Sequence, residues 1–160
     1  MTLRARDVMQ SQVATVDSGA SLTRLDEFLV QEKVSGMPVV EGGQVVGVVS
    51  RTDVLRGVGV AEGGALATQA YYHDVGGAEF DRAAAARLSG ERLATMTVRD
   101  IMSSEIVAVS PDDPVREVAK ALIGKRMHRL LVMERQRLVG IVTTSDLVRA
   151  IADGKLVPSG

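Results

Sequence analysis

The segment RDVMQSQVATV, Arg6 to Val16, returns as RDIMSSEIVAV, Arg99 to Val109, so that Met9 and Met102 lie 93 residues apart. Held without a gap, the same offset pairs MPVVEGGQVVGVVSRTDVLRGV (Met37 to Val58) with LLVMERQRLVGIVTTSDLVRAI (Leu130 to Ile151). Two copies of one unit are present, and whatever one copy folds into, the other must fold into as well. A chain of 160 residues fits one compact domain or two small ones sharing a core.

Each copy reads in the order β-α-β-β-α. A short apolar strand near Val13 to Val16 (or Ile106 to Val109) is followed by an amphipathic helix, two strands around a turn, and a final helix. In the second copy Val115, Val118, Ala119, Leu122 and Ile123 recur at the i, i+3, i+4, i+7, i+8 spacing of one helical face. Ser110, Pro111 and Asp113 ahead of them suit a cap, a proline at the first helical position and a first-turn acid. Glu41-Gly42-Gly43-Gln44 separates Met37 to Val40 from Val45 to Val49 and closes a hairpin through glycine. Glu134-Arg135-Gln136-Arg137 holds the same place without glycine.

The fold class is therefore α/β (α+β), with residues 1–58 as the first repeat and 96–154 as the second. Residues 59–95 have no counterpart in either copy and form a linker, and 155–160 are a C-terminal tail. Within the linker, Asp81 to Leu88 (DRAAAARL) is a good helix former. Tyr71 and Tyr72 are the main aromatic concentration of the chain, and their simplest role is to pin the linker to the core, with direct ligand contact as the alternative.

Composition narrows the function. Aromatic residues make up 2% and there is no Trp, which leaves little material for stacking nucleic-acid bases. The net charge of −1 supplies no basic footprint for a phosphate backbone, so nucleic acid is not an expected ligand. The absence of Cys excludes disulfides, thiolate zinc sites and cysteine nucleophiles. The N-terminal MTLRARDVMQ lacks an apolar signal core, and no apolar run approaches the ~20 residues that span a bilayer. No membrane association and a cytoplasmic location are expected.

The chemistry-bearing segments are GVVSRTD, Gly47 to Asp53, and its echo GIVTTSD, Gly140 to Asp146. Each reads glycine, two β-branched residues, hydroxyl, any residue, hydroxyl, aspartate, at the end of a strand and the start of a helix. Ser50 with Asp53, and Thr143 with Asp146, have the spacing of a helix capping box. Capping does not require the second hydroxyl, Thr52 or Ser145, nor a glycine on the strand where a ligand could approach the backbone. A helix N-terminus with hydroxyls suits a phosphate, and a carboxylate one turn in suits the two hydroxyls of a ribose. The motif alone fits either role. Met127-His128-Arg129-Leu130 adds a planar guanidinium and an imidazole just before the middle strand of the second copy, where the first copy has Ser35 and Gly36. The two potential sites are chemically unequal.

The repeat, its element order, the paired GVVSRTD and GIVTTSD segments, and the MPVV and HRLLV segments together resemble tandem cystathionine-β-synthase (CBS) domains, the Bateman module. That resemblance implies two β-α-β-β-α repeats packed about a pseudo-twofold axis, with two ligand clefts between them and an inserted linker helix. It also implies pairing of modules into a homodimer. It places ribose recognition on Asp53 and Asp146, and phosphate or ribose contacts on Ser50, Thr52, Thr143 and Ser145. The base is expected against Thr15 and the stretch Val34, Ser35, Gly36, Met37 and Pro38. In the other copy the matching positions are Ala108, Met127, His128, Arg129, Leu130 and Leu131. His128 and Arg129 match the pair that reaches phosphates in nucleotide-sensing members. Gly36, in place of Arg129, implies a roomier base pocket in the first repeat.

The expected function is a regulatory sensor for AMP, ADP, ATP or another adenosyl compound, acting on a regulated protein carried by a separate chain. The alternative is a constitutive dimerisation scaffold with vestigial clefts. No nucleophile, metal or acid–base constellation is recognisable, so no catalytic cofactor and no enzymatic activity are expected.

Overall fold

The structure, a computed structural model, describes residues 2–57, 70–73 and 94–156. The chain divides into two compact units, and these do not follow the repeat boundaries. Ala14–Ile106 forms one, and Met1–Val13 with Val107–Gly160 forms the other. Each repeat therefore gives up its leading segment, so that α1 (Ala5–Val8) is built into the unit of the second repeat.

The unit of the first repeat carries β1 (Val16–Asp17), α2 (Leu22–Gln31), β2 (Gly36–Glu41), β3 (Gln44–Ser50), α3 (Arg51–Gly57), α4 (Ala70–His73) and α5 (Val98–Ile101). β1 runs parallel to β2, and β2 pairs antiparallel with β3, giving the order β1-β2-β3. The helix α2 forms because Ser21 caps it, its side chain accepting from the Arg24 N–H at 3.1 Å, and because Leu22, Leu25 and Leu29 recur on one face. That face is fully buried against Val39, Val49 and Val54, with Val98 of α5 in the same core. Burial of each leucine is worth about 1.5 to 3 kcal/mol, which is what holds so short a helix in place.

The unit of the second repeat repeats this plan with β4 (Ala108–Val109), α6 (Val115–Lys125), β5 (Arg129–Glu134), β6 (Arg137–Thr143) and α7 (Thr144–Ala152). Its sheet has the order β4-β5-β6, and the register shift between Val132 and Met133 falls 93 residues after that between Val39 and Val40. The expected β-α-β-β-α order holds in both copies, with an extra turn of helix, α1 or α5, ahead of each. Both hairpins use two consecutive left-handed residues. Gly42 and Gly43 have φ of 59° and 81°, and Arg135 and Gln136 adopt 49° and 70° without being glycine.

Three local expectations need correction. The first strand of each copy is two residues long, because only the end of each apolar run meets the neighbouring strand. The helix α6 begins at Val115 with Pro114 at its N-cap, later than Ser110-Pro111-Asp113 suggests. Those residues form a turn instead: the Asp113 carboxylate accepts from the Ser110 N–H at 2.9 Å, and the carbonyls of Pro111 and Asp113 accept from Arg6 and Ala5 of the leading segment. Ile123, placed on the apolar face, lies at its margin and is 79% exposed. The segment Asp81 to Leu88, expected to be helical, lies outside the described residues.

Candidate functional site

In the second repeat the antiparallel register sets Arg129 directly opposite Thr143. The Thr144 N–H donates to the His128 carbonyl at 2.9 Å, and its hydroxyl donates to the same oxygen at 3.4 Å. The two constellations singled out in the sequence are thereby brought onto one edge, the basic pair on the entry to β5 and the hydroxyl–carboxylate cluster on the exit from β6. His128, Thr144 and Ser145 are exposed, and Arg129 and Thr143 are half-buried. Met127, Leu130 and Leu131 belong to the core, and Ala108 pairs with Leu131.

Thr143 and Asp146 form the capping box that their spacing implies. The Thr143 N–H donates to Asp146 Oδ2 at 2.8 Å, and the Asp146 N–H donates to Thr143 Oγ1 at 3.1 Å. The second carboxylate oxygen, Oδ1, accepts from Gln10 Nε2 at 3.1 Å and lies 3.6 Å from Arg149 Nη1. The carboxylate thus has one oxygen committed to the helix and one held by side chains.

The first repeat reproduces the scaffold and changes the contents. Gly36 faces Ser50 across the strands, and the Arg51 N–H donates to the Ser35 carbonyl at 2.9 Å. Asp53 Oδ2 accepts from the Ser50 N–H at 2.8 Å and from its hydroxyl at 3.1 Å, while Oδ1 pairs with Arg56. Burial pushes the Asp53 carboxyl up to about 6, outweighing the Ser50 amide and the Arg56 charge, which act in the opposite direction. Met37, Pro38 and Ser50 are buried, Val34, Ser35 and Thr52 half-buried, and Thr15 is exposed just ahead of β1.

Gly36 does not leave a roomier pocket. A Cβ there would lie 2.6 Å from the Val49 carbonyl oxygen and 2.8 Å from Tyr71 Cδ2, so the space is already taken. Tyr71 and Tyr72 are 3% and 0% exposed, their rings meet edge to face at 5.4 Å, and the Tyr72 hydroxyl donates to the Glu105 carbonyl at 2.8 Å. The pair packs into the first-repeat unit, as its simplest reading holds.

Nor do Gly47 and Gly140 open the strand to a ligand. A Cβ at Gly47 would stand 2.4 Å from the Ser103 carbonyl oxygen, and one at Gly140 would stand 2.7 Å from that of Gln10. The chain's own leading segments lie there, through reciprocal backbone bonds between Val48 and Ser103 and between Gln10 and Ile141. Absence of a side chain lets backbone meet backbone.

Sequence reasoning missed Gln10, Arg56, Arg149 and the placement of Tyr71. Arg56 and Arg149 were findable, since both stand three residues after the motif aspartate and 93 residues apart, the spacing at which helical side chains meet. Nothing local marks Gln10 or Tyr71, whose partners are distant in sequence. Among the described residues, no group of three or more His, Asp or Glu is arranged to hold a metal ion, and no helix is long and apolar enough to cross a membrane.

The family model of the CBS domain matches residues 5–59 and 98–153. The gamma-3 subunit of the 5'-AMP-activated protein kinase of Sus scrofa is 33% identical over 150 residues, covering 91% of this chain and 24% of that one. The chain spans between 14% and 25% of the length of four curated relatives that it matches, this subunit among them. Two solved structures share the fold. CBSX2, in complex with AMP, is 24% identical with a TM-score of 0.69, covering 96% of this chain and 99% of that one. The CBS domain pair of protein MJ0100, in complex with 5-methylthioadenosine and S-adenosyl-L-methionine, is 20% identical with a TM-score of 0.64, covering 98% and 100%.

Proposed function

The chain belongs to the CBS domain family, and on that premise we propose that it is a regulatory module that takes an adenosyl ligand on the exposed edge of its second repeat. The observation that carries this reading is the convergence of His128 and Arg129 with Thr143, Ser145 and Asp146 on one strand-to-helix corner. Phosphate oxygens meet the His128 and Arg129 donors and the exposed Ser145 hydroxyl, since the Thr143, Thr144 and Asp146 amides are already bonded within the corner. The ribose diol takes Asp146 Oδ1, with Gln10 and Arg149 giving way, while Oδ2 stays with the helix cap. The protein whose structure holds AMP and the one whose structure holds S-adenosyl-L-methionine support the adenosyl class, and AMP, ADP and ATP are the ligands this basic corner fits best. The module itself catalyses nothing. Its ligand acts on a regulated protein by favouring one conformation over another, to the extent of its differential affinity for the two.

A second reading, homodimerisation, is favoured by an exposed apolar face on the second repeat, whose groove reaches His128 and Thr144 and so adjoins the corner proposed for the ligand. Ile123, Val148 and Ile151 are 79%, 59% and 57% exposed beside a groove of about 340 Å³ lined by Leu122, Met127 and Leu147. Light scattering at tens of micromolar protein is expected to give the mass of two chains, and the mass of one chain would remove this reading.

A thermal-shift screen across AMP, ADP, ATP and S-adenosyl-L-methionine tests the sensor. A ligand at ~100 times its Kd adds about 2.7 kcal/mol to the state that binds it, which is roughly 5 to 10 °C for a chain of this length. No shift with any of these at millimolar concentration would leave only the scaffold.

A further inference from the structure

The two copies of the strand-to-helix corner differ in what stands at the position of Arg129. The equivalent residue, 93 positions earlier and in the same register, is Gly36. In the second repeat that position sends a guanidinium from the strand; in the first, the volume beside it holds the ring of Tyr71, carried in by α4. Tyr71 Cδ2 lies 2.8 Å from where a Cβ on Gly36 would be, and the same Cβ would be 3.2 Å from the Ser50 Cα. The ring thus occupies the space in front of Gly36, the residue that faces Ser50 across the strands.

Burial follows the same division. Ser50 is 5% exposed where Thr143 is half-buried, and Arg51 and Thr52 are half-buried where Thr144 and Ser145 are exposed. Tyr71 is itself 3% exposed and edge-on to Tyr72, whose hydroxyl is fastened to the Glu105 carbonyl. A ring enclosed in this way presents no open face on which a base could stack, and its anchor holds it in place.

We infer that Tyr71 fills the ligand position of the first repeat, so that each chain has a single adenosyl site, on the second repeat. The inference rests on the adenosyl reading for its ligand and on Gly36, Ser50 and Tyr71 for its geometry. Tyr71 is the residue that sets the number of sites. It supplies the bulk that Gly36 lacks, from a segment that belongs to neither repeat, and Arg51, whose N–H donates to the Ser35 carbonyl, leaves a cation on the same corner.

Two measurements test this. Equilibrium dialysis of labelled AMP against the full chain is expected to saturate at one AMP per chain for the wild type and at two for Tyr71→Ala, with the first affinity unchanged. Saturation of the wild type at two, a folded Tyr71→Ala that still takes one, or a Tyr71→Ala that loses binding because the ring is a stacking platform would each overturn the inference. The chain has two Tyr and no Trp, so in Tyr72→Phe the tyrosine emission comes from Tyr71 alone. Acrylamide is expected to quench that emission several-fold less in the native protein than in the urea-unfolded chain, and equal quenching would overturn the placement of the ring whether or not Tyr71→Ala folds. If neither form binds AMP while Tyr71 is shielded, the adenosyl reading fails and the site count with it, but the ring's position stands.

Discussion

Replacing Asp53 by Asn isolates one buried charge. The Asp53 side chain is 2% exposed, and burial raises its carboxyl from the ordinary 3.8 to about 6. The folded protein therefore holds this proton more tightly than the unfolded chain does. Between those two values the native state binds more protons, so stability is gained on acidification and lost as pH rises through about 6. A carboxyl that titrates near 3.8 unfolded and about 6 folded contributes close to nothing at pH 7 and on the order of 1 kcal/mol at pH 5. Asparagine cannot titrate, yet its side-chain oxygen still accepts from the Ser50 N–H, so the helix cap survives. Urea unfolding of both forms at pH 7 and pH 5 separates this group from every other titrating residue. With an m-value near 2 kcal/mol/M, the wild-type midpoint should rise by roughly 0.5 to 1 M more than that of Asp53→Asn. Equal changes in the two forms, or a wild type that loses ground on acidification, would refute the claim that burial outweighs Arg56.

Gly47→Ala should cost about 1 to 3 kcal/mol in urea unfolding, because its methyl group would meet the Ser103 carbonyl oxygen and backbone yields poorly. A neutral result would mean the leading segment does not lie on β3. Gln136→Gly should stabilise by about 0.5 to 1 kcal/mol, since a residue at φ 70° gives up its left-handed penalty, and a lowered melting temperature would contradict the hairpin geometry.

The duplicated pattern carried the fold to the reader because each repeat states its elements twice. Leu22, Leu25 and Leu29, and Val115, Val118 and Leu122, show the same helical period, and the hairpins sit between the same apolar runs. The capping pairs Ser50–Asp53 and Thr143–Asp146 were equally legible, being local at three residues' separation. What stayed hidden was non-local. The exchange of leading segments depends on backbone bonds from Gln10 to Ile141 and from Val48 to Ser103, which no side-chain pattern announces. For the same reason Gly47 and Gly140 looked like openings for a ligand, and Gly36 like an empty pocket, when each is a place where another stretch of this chain comes close. At these three glycines something approaches, whereas at Gly42 and Gly43 nothing does and the left-handed turn is the reason, and only the structure tells the two cases apart.

The most direct test of a nucleotide site on the second repeat is titration calorimetry of AMP into the wild type and Asp146→Asn. Asn retains the cap on α7, so the fold should persist while the charged bonds to the ribose are lost, each about 1.5 to 3 kcal/mol, a weakening of ~10-fold or more. Asp53→Asn, whose site is filled by Tyr71, should bind AMP as the wild type does. Unchanged affinity in Asp146→Asn, or a larger loss in Asp53→Asn, would contradict the assignment of the ligand to the second repeat.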